Sequence, residues 1–167
     1  MRPNIAFGAL KAGIQVYVPI ILIRAIAMGF TIDDLDRYFG GCFYLLRFND
    51  HQMEWATTVF QFGELPSDSR SLEFCQEKAH RALRSGSSSS WLTRDPEKNQ
   101  WGGAVRVHED VIFSFSSTFS EDTDEGLVLV LAVRLGFMDF DDAQKIAGQS
   151  GNEKFLQLFQ DDPAHLS

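Results

Sequence analysis

The sequence predicts an α+β fold: an antiparallel sheet of two β-hairpins with helices packed on it. Three observations predict it. Residues 42–48 and 55–62, and again residues 101–107 and 111–117, form pairs of runs rich in aromatic and β-branched residues, each pair joined by a short polar turn. Between the pairs, residues 68–84 repeat apolar side chains at helical spacing. After the second pair, Ser120 and a run of acids open a helix that stops at Gly136. Hairpins with helices on one face of the sheet satisfy this order.

The N-terminal region, residues 1–41, reads as mostly helical. Ile14, Val16 and Val18 alternate with Gln15 and Tyr17, which predicts a short strand, and Pro19 then suits the first position of a helix ending at Gly29. One longer helix kinked at Pro19 is the alternative. Ile20, Ile21, Leu22, Ile23 and Ile26 surround this helix, so it must be buried in the core or against another chain. Thr31 and Asp34 have capping-box spacing and predict a short helix over residues 32–39, closed by Gly40 and Gly41.

In the second helix, capped by Ser67 or Asp68, the apolar stripe is Leu72, Cys75, Ala79, Ala82 and Leu83, with Glu77 and Arg81 paired mostly on the other faces. Residues 87–99 are serine-rich and then charged, the composition of a flexible loop. Residues 127–133 are wholly apolar and could be helix or buried strand by period alone. The acids before them and Arg134 after them favour helix. Leu129, Ala132 and Val133 join the stripe residues as expected core. Short helices over residues 140–147 and 152–159 complete a C-terminal tail, residues 137–167. The whole is read as one domain with residues 42–136 as its core.

The composition narrows the function classes. A chain of 167 residues, 44% hydrophobic and with fifteen phenylalanines, can build a sizeable aromatic-rich core. A net charge of −8 repels phosphate backbones and anionic membranes, so neither nucleic acid nor membrane is expected as a partner. Residues 14–30 are the most apolar stretch, but Gln15, Pro19 and Arg24 interrupt it, and the chain reads as cytoplasmic. Cys42 and Cys75 are too few for a disulfide framework and are expected as buried thiols.

No phosphate-binding glycine loop, nucleophile elbow or His-Glu-x-x-His zinc motif occurs, and no catalytic residue is assigned. The four histidines lack closed zinc-site spacing, so no metal is expected. His51 and His108 fall in the two hairpin turns, where Asp50, or Glu109 and Asp110, could orient an imidazole. Trp91 and Trp101 bracket the serine loop and could wall a flat ligand or pack in the core. Gly102-Gly103 reads as a close backbone approach or a bulge.

Three segments carry a family resemblance. They are Glu77-Lys78-Ala79-His80-Arg81-Ala82, then Trp101-Gly102-Gly103-Ala104-Val105, then Ile112-Phe113-Ser114-Phe115-Ser116-Ser117 followed by Asp122, Asp124 and Glu125. They resemble the GlcG/HbpS-like family, which includes the C-terminal domain of some corrinoid adenosyltransferases, over residues 42–136. The first turn, Asn49-Asp50-His51-Gln52, departs from that family's Asp-x-Gly-Gly. The resemblance implies a profilin-like sandwich and a non-enzymatic ligand-binding or accessory domain. Its ligand would be a flat organic cofactor such as a tetrapyrrole (haem), with His80, His108 and Trp101 as contacts. The alternative is a protein–protein adaptor. The apolar helix from Pro19 points to a homodimer, or to a protein partner that covers it, with cover by the C-terminal helices from Phe140 to Phe159 of the same chain as the alternative.

Overall fold

The computed structural model describes residues 7–30, 39–51 and 53–160. The chain opens with α1 (Phe7–Ala27) and the hairpin β1 (Gly40–Phe48) and β2 (Glu54–Gly63), then α2 (Ser71–Ser85). The second hairpin, β3 (Ala104–His108) and β4 (Val111–Ser117), follows. α3 (Glu121–Arg134), α4 (Phe140–Ser150) and α5 (Lys154–Gln160) complete it. The strands run β2–β1–β4–β3 and every pairing is antiparallel, so the class is the predicted α+β.

Successive side chains of a strand point to opposite faces, and here both faces are apolar. Phe43 and Leu45 of β1 join Phe113 and Phe115 of β4 in a core with α1, α3, α4 and α5. Cys42, Tyr44 and Leu46 join Ile112 in a second core with Cys75, Ala79 and Ala82 of α2. Helices therefore cover both faces, which corrects the expectation of one covered face. The central strands β1 and β4 carry large apolar residues at consecutive positions, and neither side of them can stay in water without losing the burial of several such side chains, worth about 1.5–3 kcal/mol each.

Residues 14–18 are helical, not a strand: α1 is one helix with Pro19 inside it. The apparent alternation hides a spacing of three and four residues. Ile14, Val18, Ile21 and Ala25 are buried on one face, whereas Val16 is 58% exposed on the other. Twenty residues of it, Gly8–Ala27, are long and apolar enough to cross a membrane by length and composition. In the fold their buried stripe packs into the core shared with α3 and α5, and Arg24 donates to the Leu158 carbonyl. The helix expected over residues 32–39 falls mostly outside the described residues. Gly40 and Gly41 begin β1.

Three further expectations change. α2 starts at Ser71 with Arg70 as the capping position, so neither Ser67 nor Asp68 caps it. Leu72 is 42% exposed, and Lys78 and Arg81 take buried positions instead. Val133 is only partly buried, while Cys75, Ala79, Leu129 and Ala132 are buried as expected. The serine loop is not a loose linker. Ser89 and Ser90 are buried, and the Arg81 guanidinium donates to the Ser90 carbonyl, the Trp101 carbonyl and the Thr93 hydroxyl. Residues 127–133 are helical, within α3.

Candidate functional site

At the end of the sheet where β4 finishes, α2 and α3 arrive from opposite faces. Lys78 projects from α2 and Asp124 from the first turn of α3, and the two are 2% and 3% exposed. Lys78 Nζ donates to Asp124 Oδ2 at 3.1 Å and to the Phe115 carbonyl at 3.0 Å. The Ser117 hydroxyl donates to the other oxygen, Asp124 Oδ1. Burial pushes the Asp124 carboxyl above its ordinary range, and the charge of Lys78 and the bond from Ser117 pull it back only in part.

Gly103 makes the meeting possible. Its φ is +120°, and a Cβ there would lie 2.9 Å from both Lys78 Nζ and Asp124 Cβ and 2.7 Å from the Phe115 carbonyl oxygen. The expected close backbone approach is therefore real, and what approaches is a buried ion pair. Its neighbour Gly102 lies under the Trp91 ring and donates its N–H to Glu121 Oε2 at 2.7 Å. Arg94 pairs with Glu121 at 3.0 Å and stacks 4.5 Å from the centre of the Trp91 ring.

A pocket of about 350 Å³ opens above the pair. Phe74, Trp101 and Phe119 form apolar walls, Lys78 and Asp124 lie in the floor, and Ser116, Ser117, Ser120 and Glu121 complete the lining. Two of the three ammonium N–H groups of Lys78 are engaged by Phe115 and Asp124. An ammonium has a third, and Lys78 is among the residues that line the pocket.

Behind the pocket, Glu125 is fully buried without a cation among its bonded partners. Ser89 and Ser150 donate hydroxyls and Asn152 its amide to the carboxyl. These bonds tie α3 to the serine loop, to the end of α4 and to the start of α5.

Of the residues singled out in the sequence, Trp101 lines the pocket and His80 and His108 do not. His80 faces the sheet edge, with Nδ1 2.8 Å from the Gln76 carbonyl and Nε2 2.5 Å from Glu54 Oε2. His108 lies in a separate, open groove of about 380 Å³ with Phe137, Lys145 and Gln149. Its Nδ1 is 2.5 Å from Asp110 Oδ1, so Asp110 rather than Glu109 orients the imidazole. Burial pushes the Asp110 carboxyl up, but bonds from His108 and Arg47 outweigh it and hold the carboxyl below its ordinary value. The two hairpin turns do share one end of the sheet, joined by Phe48 N to the Asp110 carbonyl and by Arg47 to Asp110. That end is opposite the pocket. His51 is exposed there, with its backbone N–H bonded to Asn49.

Sequence reasoning missed Lys78, Asp124 and Ser117 as a unit. One signal did point to them. The three segments that carry the resemblance contribute Lys78, Trp101 with Gly102-Gly103, and Ser116-Ser117 with Asp124, all of which meet here. Among the described residues no cluster of three His, Cys, Asp or Glu side chains is arranged to hold a metal ion. Comparison of the chain with protein-family models, with curated proteins and with solved structures finds no significant match.

Proposed function

We propose that this protein is a ligand-binding domain whose pocket between α2, β4 and α3 takes a flat, uncharged organic molecule bearing a hydrogen-bond acceptor. The observation that carries the reading is the buried Lys78–Asp124 pair in the floor of an aromatic-walled pocket. Binding pockets combine apolar walls with a few placed polar groups. Lys78 is already compensated by Asp124, and Glu121 at the rim by Arg94, so a carboxylate or phosphate meets no uncompensated cation here. An aromatic ring between Phe74, Phe119 and Trp101, with its acceptor on the free Lys78 N–H, uses what the pocket offers.

The volume of about 350 Å³ lies near the lower end of the usual range of roughly 300–1,000 Å³. It suits a one- or two-ring molecule better than a tetrapyrrole, and no histidine lines it to ligate iron. The test is a thermal-shift and tryptophan-fluorescence titration of the full chain with nicotinamide and coumarin, beside benzoate and haemin. The neutral rings should raise the melting temperature, and Phe74→Trp, which narrows the pocket, should abolish the rise. A rise that survives Phe74→Trp, or one produced only by benzoate or haemin, would refute the reading.

A further inference from the structure

β2 and β3 are the two edges of the sheet, and they are not treated alike. β3 has five residues, a register shift between Arg106 and His108, and a cover: Arg106 N donates to the Ser88 carbonyl at 2.9 Å and Ser89 bridges Val105. β2 has ten residues and pairs regularly with β1 from Ala56 to Gly63. Among the described residues nothing pairs with its outer side. Long edges are normally protected by charge, proline, a bulge or a cover. Along β2 the only charged residue is Glu54, at one end, no proline occurs, and the only register shift lies at that same end.

We infer that the outer edge of β2 is an interface with a second copy of this chain, paired antiparallel to β2 of the partner about a two-fold axis, which doubles the four-stranded sheet. The strand fits itself better than it fits a stranger. Antiparallel self-pairing puts the two Glu54 side chains at opposite ends, separated by roughly 30 Å at about 3.4 Å per residue. Two chains of net charge −8 then meet along an uncharged strip. Parallel pairing would set the two Glu54 residues side by side. Thr57, Thr58, Val59 and Phe60 bring β-branched and aromatic cross-strand pairs to the middle of the strip. Pairing about a two-fold axis consumes both open edges and leaves only the covered β3 edges, so the assembly closes at two copies. Val59, within the strip, is exposed, and α1, which contacts β2, carries exposed Ile20 and Ile23.

Sedimentation velocity of the full chain at micromolar concentration is the test. It should show a dimer, which Val59→Lys or Thr57→Lys dissociates by at least about tenfold, with unchanged far-ultraviolet circular dichroism. Hydrogen exchange of the unsubstituted chain keeps the inference open to refutation if a variant misfolds: β2 amides should gain protection as concentration rises. A monomer at every concentration would overturn it. So would association that grows past two copies, or a dimer lost on Ile20→Glu or Ile23→Glu but indifferent to both β2 variants.

Discussion

Lys78 and Asp124 lie on helices that cover opposite faces of the sheet, yet Nζ and Oδ2 are 3.1 Å apart. The pair links the two layers past the start of β3, where Gly103 has no side chain to bar the way. An ion pair this deep stabilises little relative to an apolar pair of the same shape, but breaking it leaves a buried charge without compensation.

Lys78→Met should therefore destabilise the fold by about 3–5 kcal/mol. The double variant Lys78→Met, Asp124→Leu should recover most of that loss, because no orphan charge remains. Urea denaturation at neutral pH measures both. Equal stability of the two variants would show that the charge is not what the single substitution exposes.

Two glycines with positive φ give a graded comparison. Gly86→Ala meets nothing within 4 Å and pays only for its left-handed φ of +69°, about 1 kcal/mol. Gly103→Ala meets a carbonyl oxygen and both members of the ion pair and should lose about 2–4 kcal/mol. Thermal unfolding of the two variants ranks them directly.

Glu125 sets a pH dependence whose sign is definite. Burial raises its carboxyl above the ordinary value of 4.5, and bonds from Ser150, Ser89 and Asn152 lower it only part of the way back. A carboxyl whose folded-state value is raised favours the folded chain while protonated. That contribution is complete below the unfolded value and is lost as pH rises through the folded one. Glu125→Gln stays neutral and can accept from Ser150 and Asn152 while donating to Ser89. Its stability advantage over the unsubstituted chain should be smallest in acid and should widen from pH about 4.5 towards neutrality, followed by urea denaturation at a series of pH values.

Both cysteines should be silent to thiol reagents in the native state. Cys75 is fully buried and desolvation pushes its thiol up to about 12, while burial also raises that of Cys42. The thiolate is the reactive form, so labelling by a chromogenic disulfide should follow unfolding alone. A fast phase without denaturant would contradict the burial of α2 against β1.

The sequence by itself determined the elements whose signals are local. Aromatic and β-branched runs around polar turns specified both hairpins, and the acids before residues 127–133, with Arg134 after them, selected helix over strand. It also exposed the two thiols as core residues. Partnership between distant residues was decided only by the tertiary structure. A lysine, an arginine and two acids at helix positions look like solvated faces, because in sequence a charge shows its cost of burial and not its partner. Lys78 and Asp124 are 46 positions apart, and Arg81 is buried only because the carbonyls of Ser90 and Trp101 fold onto it. The site was hidden for the same reason. Its polar floor is affordable only where α2 and α3 meet at the end of the sheet, and that meeting depends on the second helical layer which the one-sided reading omitted.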